Sequence, residues 1–231
     1  MNVLLNEDEV RKAICILKPD NQLFEIRIIQ GRISASGYFD DADNLIKALR
    51  NNADHLAGAN IYMTLHQLHD GCRARLQWNE FIDSGRAKIP TTSDHDVLRY
   101  KYIPIDLDPV RPSGISSNAE ELKSAEAVAR QVVAHMRGEG FTEFIEAFSG
   151  NGYHLLYPID LPNNEDSERY IKEYLNDLDQ RFSNDGCHVD VTNYNPSRVF
   201  KLYGTVAQKG RSTEDRPHRL ARILGVHQEC E

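Results

Sequence analysis

"YKYIPIDLDPVRP", residues 100–112, decides the reading of this chain. Ile103, Ile105 and Leu107 alternate with Pro104, Asp106 and Asp108, and a period of two marks a β-strand. Ile105 and Leu107 are therefore expected to face a core, with Asp106 and Asp108 together on the opposite face. Two carboxylates about 7 Å apart on one strand face repel each other. A cation between them removes that cost.

Outward from this strand, Pro109 ends it and PVRPSG reads as a loop. Residues 116–140 form the clearest helix. They have a Ser/Asn start, an apolar stripe through Val128, Val132 and Met136, and glycines at the end. Glu143–Phe148 and Tyr153–Ile159 read as strands of a hairpin joined by Ser149-Gly150-Asn151-Gly152. A second helix is expected over Glu165–Phe182, and further strands over His188–Val191, Val199–Tyr203 and Arg219–Leu224. Before residue 100, Leu23–Ile29 and Ala59–Leu65 read as strands. Asp41–Asn51 reads as a helix with Leu45, Ile46 and Leu49 on one stripe. From residue 100 the order strand, helix, strand, strand, helix, strand is that of a split β-α-β unit. The expected class is α+β: an N-terminal α/β module, residues 1–99, packed on an RRM-like module, residues 100–231.

The 231 residues include 40% hydrophobic and 27% charged side chains, enough to bury a core and stay in solution. No apolar run has the length of a membrane helix, and MNVLLNEDEV lacks the basic start and apolar stretch of a signal peptide. Cys15, Cys72, Cys187 and Cys230 are scattered without a CxxC pair, which fits a reducing cytoplasm. The net charge of −8 argues against a nonspecific nucleic-acid coat. Yet residues 196–222 carry Arg198, Lys201, Lys209, Arg211, Arg216, Arg219 and Arg222 against Glu214 and Asp215. One basic segment in an acidic chain points to a localised polyanion site.

Hard divalent cations take carboxylate oxygens, and three aspartates from two strands, Asp106, Asp108 and Asp190 of HVDV, can hold two Mg²⁺ or Mn²⁺ ions. Two such ions suit phosphoryl or nucleotidyl transfer. Gly150 and Gly152 allow a turn to bring backbone N–H groups close to a phosphate. His154 and the arginines can neutralise a triphosphate, arginine with a bidentate fork. His66, His69 and Cys72 have metal-ligand spacing but no second Cys/His pair nearby, which favours a structural role. Tyr38, Phe39, Trp78 and Phe81 could stack on bases, though core packing is the expected role.

In these motifs the sequence resembles the archaeo-eukaryotic primase superfamily, closest to primase-polymerases of phages, plasmids and other mobile elements. The hhhDhD motif is matched by Ile103-Pro104-Ile105-Asp106-Leu107-Asp108. The serine-to-histidine motif is matched by Ser149 to His154, and the later hD motif by Val189-Asp190. The resemblance implies a DNA primase-polymerase using two Mg²⁺ or Mn²⁺ ions on Asp106, Asp108 and Asp190. It implies that Ser149 and His154 contact the phosphates of an incoming NTP or dNTP. Arg198, Lys201, Arg216, His218 and Arg219 would meet triphosphate or single-stranded DNA template. No GxxxxGK[ST] motif is present, so an unwinding helicase would be a separate partner. Two other readings stand beside this one: a replication-initiator or template-binding module without catalysis, and a metal-dependent phosphodiesterase.

Overall fold

A computed structural model describes residues 4–74, 78–83, 85 and 91–228. The chain is of mixed α+β class. It begins with α1 (Glu7–Leu17), β1 (Phe24–Gln30), β2 (Arg32–Phe39), α2 (Ala42–Asn51), β3 (Asn60–Thr64), β4 (Gln67–Leu68) and β5 (Ile82–Asp83). The strand with the aspartate pair, β6 (Val97–Pro109), is followed by α3 (Ala119–Gly138), β7 (Phe144–Phe148), β8 (Tyr153–Pro162) and α4 (Glu165–Phe182). Short strands complete the chain: β9 (Cys187–Val189), β10 (Val199–Lys201), β11 (Val206–Ala207), β12 (Arg219–Leu220) and β13 (Arg222–His227).

Two larger antiparallel sheets carry the fold. The first has the order β10-β3-β1-β2-β5. The second has the order β13-β7-β8-β6-β4, with β9 also paired to β6. Residues 1–99 and 100–231 thus each supply most of one sheet and lend a strand to the other: β4 extends the second sheet and β10 the first.

The alternation expected for β6 holds. Ile103, Ile105 and Leu107 are buried in a core with Val128, Val132 and Met136 of α3 and Ile171, Leu175 and Leu178 of α4. Tyr102 points to the other face and joins the core that holds α1, α2 and the first sheet. Asp106 and Asp108 share its parity and follow it towards the strand end. Pro104 is tolerated mid-strand because that edge of β6 is paired only at its ends, Val97 and Arg99 with β4 and Leu107–Pro109 with β9.

The two helices expected after residue 100 are capped as their sequences suggest. Asn118 and Glu121 form a reciprocal capping box on α3, and Asn164 caps α4. Helix α1 was not expected. Its N-cap Asn6 accepts the Glu9 N–H, and Val10, Ala13, Ile14 and Leu17 bury one stripe against both sheets. Strand β2 was not expected either. The segment read as one strand over Arg219–Leu224 divides at Ala221 into β12 and β13. Tyr38 and Phe39 are core residues and Phe81 packs on Phe39, as expected, whereas Trp78 is exposed with Arg73 over its ring. His66 is buried and its Nδ1 accepts the Lys101 N–H, while Cys72 packs with Leu23, Tyr38, Leu68 and Val97. Cys230 lies outside the described residues. No helix among the described residues is long and apolar enough to cross a membrane.

Candidate functional site

A cleft of about 510 Å³ opens between the two sheets. Asp106, Asp108, Ser149, His154, Asp190, Arg198 and Lys201 line it, as do Arg27, Asn60, Tyr62, Asn193 and Lys209. Register explains the convergence. On the second sheet Asp106 of β6 stands opposite His154 of β8. On the first, Arg27 of β1, Tyr62 of β3 and Lys201 of β10 form one cross-strand row. An acidic wall therefore meets a basic one across the cleft.

The two carboxylates on β6 differ in electrostatic setting. Burial alone would raise the pKa of Asp106. His154, Lys209 and Arg111 outweigh it and hold the carboxyl below its ordinary value. Asp108 is pushed above its ordinary value by burial and by the neighbouring Asp106, although Arg111 and Lys209 oppose the shift. Arg111 reaches Asp108 Oδ1 at 3.3 Å. The Tyr62 phenol is raised by burial and then by both aspartates, which sets it within their field.

His154 Nε2 lies 3.5 Å from Asp106 Oδ1, and its Nδ1 is 2.8 Å from the Tyr203 hydroxyl. Asp106 Oδ1 is buried and, apart from this His154 contact, meets no donor among the described residues. Asp190 is tied to β6 through its backbone N–H on the Asp106 carbonyl, 2.9 Å. Its carboxylate accepts from Thr192 N–H and hydroxyl at 2.9 and 2.7 Å and lies 3.6 Å from Arg198. Lys201 is buried, donates to the Val206 carbonyl at 3.0 Å, and has its pKa lowered to about 7 by burial and by Lys209.

As for a divalent cation, the adjacent carboxylates Asp106 and Asp108, one with a buried oxygen that accepts no hydrogen bond among the described residues, are a hard-oxygen donor pair that fits Mg²⁺ or Mn²⁺. No group of three His, Cys, Asp or Glu side chains is gathered to hold a metal among the described residues. Mg²⁺ commonly takes one or two carboxylates and completes its shell with substrate phosphates and water, which suits a pair.

The glycines of the Ser149–Gly152 turn have a packing reason to be there. A Cβ on Gly150 (φ +94°) would stand 2.9 Å from the Arg219 carbonyl and against Ala207, and one on Gly152 would strike the Leu107 carbonyl. Ser149 Oγ accepts the Gly152 N–H at 2.9 Å, so this N–H is engaged within the turn.

Arg216, His218 and Arg219 are not among the cleft-lining residues. Arg216 makes two 2.7 Å bonds to Glu121 and one of 2.8 Å to the Ser116 carbonyl. Arg219 donates to the Ser117 carbonyl at 2.7 Å, and His218 Nε2 lies 2.9 Å from the Gly210 carbonyl. The two arginines fasten the loop after β11 and the start of β12 to the start of α3, the His218 contact lies within that loop, and Lys209 stands on the cleft side. Arg27, Tyr62, Asn193 and Lys209 carry no motif of their own. Lys209 belonged to the basic segment, but strand pairing alone brings Arg27 and Tyr62 here.

No family model and no curated protein matches the sequence. Among solved structures, the fold is similar to that of the primase RepB'. The TM-score is 0.50 with 9% identity, over 95% of this chain and 56% of that one, so this chain spans about half the length of that primase. At this identity the likeness is one of fold.

Proposed function

We propose that this chain is the catalytic core of a DNA primase-polymerase, a nucleotidyltransferase acting on single-stranded DNA. The observation that carries the reading is the cleft itself, where Asp106 and Asp108 face Arg198, Lys201 and Lys209. Such a pairing suits a metal-bound triphosphate. The strand order β9-β6-β8-β7 around α3 and α4 supports an RRM-like catalytic module. The primase-like fold agrees with it.

In this reading a 3′-hydroxyl attacks the α-phosphate of an incoming nucleotide and pyrophosphate leaves. Asp106 and Asp108, joined by Asp190, would hold Mg²⁺ or Mn²⁺. Two bound ions would supply Lewis-acid charge for the attacking and leaving oxygens. Arg198, Lys201 and Lys209 would neutralise the triphosphate. The Tyr203 contact fixes the His154 ring with Nε2 towards Asp106.

Unprimed and primed single-stranded DNA, incubated with labelled nucleotides and Mg²⁺ or Mn²⁺, tests this directly. Extension supports the proposal. Degradation of the primer would support a phosphodiesterase, and DNA binding without either reaction a template-binding module.

A further inference from the structure

Asn193 borders the cleft and is 3% exposed. Its Oδ1 accepts Arg198 Nε–H at 3.1 Å. A guanidinium can only donate, so the amide orientation is fixed: oxygen towards Arg198, amino group away. That amide N–H group, Nδ2, is buried and meets no acceptor among the described residues. Two other asparagines of the wall have side chains engaged by the backbone. Asn60 exchanges hydrogen bonds with the Gln208 backbone at 2.9 and 2.8 Å, and Asn151 Oδ1 accepts the Ser117 N–H at 2.9 Å.

Native proteins rarely leave a buried amide donor without a partner, and each exception asks for a reason. Two such atoms flank this cleft: a donor, Asn193 Nδ2, and an acceptor, Asp106 Oδ1. The acceptor matches a cation. The donor, braced by a guanidinium that also holds Thr192 at 2.9 Å, matches an anionic oxygen. With its oxygen held by Arg198, the side chain of this cleft-lining residue has only that N–H left to offer a ligand.

We infer that Asn193 is a substrate-binding residue whose Nδ2–H donates to a phosphate oxygen of the bound nucleoside triphosphate, beside Arg198. This rests on the reading of the cleft as a nucleotide site. It assigns Asn193 a direct contact rather than the support of Arg198.

The test is calorimetric titration with Mg²⁺-tripolyphosphate, ATP and dATP. Wild type, Asn193→Ala, Arg198→Ala and the double variant are compared, with melting temperatures alongside. Asn193→Ser serves if the alanine variant does not fold. Asn193→Ala is expected to weaken all three ligands by about tenfold, as for loss of one bond to a charged group. The same factor should recur in the Arg198→Ala background. Unchanged affinity overturns the inference. So does a loss that vanishes when Arg198 is absent, because Asn193 then acts through the arginine. A loss confined to ATP and dATP overturns the phosphate assignment. If wild type binds none of the three ligands, the nucleotide-site reading itself fails, and the inference with it.

Discussion

The basic segment contains two regions with the same charge and different employment. Arg198, Lys201 and Lys209 line the cleft opposite the carboxylates of β6. Arg216 and Arg219 are bound to Glu121 and to the carbonyls at the start of α3. Only the first group borders the cleft that a polyanion would enter. Charge counted along a sequence therefore says that an anion site can exist. Which cations serve it depends on where the carboxylates of the fold sit.

The comparison can be broken most forcefully at the acidic wall. Asp106→Ala or Asp108→Ala is expected to lower primer extension by at least about 10³-fold with the far-UV spectrum unchanged. Retained extension in the Asp108 variant would remove the metal assignment. Next in size, Lys209→Ala should weaken nucleotide binding by about tenfold and leave the melting temperature near that of wild type. The reverse pattern is expected at the latch. Arg216→Ala should lower the melting temperature by about 2–4 °C and leave nucleotide affinity unchanged. Its slope of log DNA affinity against log salt should also stay at the wild-type value. A template contact would instead reduce the slope by about 0.7.

A further prediction concerns pH. Lys18 is buried, donates to the Leu65 and His66 carbonyls, and has its pKa lowered to about 7 by burial from an ordinary 10.5. Between those values the unfolded chain holds a proton that the folded chain releases, so stability rises with pH. The melting temperature of wild type relative to Lys18→Met should therefore increase from pH 7 to pH 9. A constant difference would show that Lys18 stays charged when folded.

Local signals made much of this legible. The alternation around Asp106, the Asn118 capping box and the Ser149–Gly152 turn depend on neighbours in sequence, and their elements stand where expected. Helix α1 escaped notice because its acidic start and short stripe, Val10 to Leu17, acquire meaning only against two sheets. Strand β2, RISASGYF, has little apolar alternation and owes its form to pairing with β1 and β5. In the site, the aspartates and His154 were visible as motifs. Arg27 and Tyr62 come together with Lys201 through two long-range registers, β1 with β3 and β3 with β10, the second spanning more than a hundred residues, which no local pattern encodes.

The exchange of strands between the sheets bears on how the chain is made. Strand β3 pairs with β1 on one edge and waits for Val199–Lys201 on the other. During synthesis that edge stays open until some 200 residues have left the ribosome. Its pairing closes a loop of more than 130 residues, a contact order that slows folding. Lys201 arrives with the same strand, so the cleft acquires its basic wall in the step that seals the first sheet. A nascent chain therefore lacks the basic wall of the cleft until β10 has paired with β3.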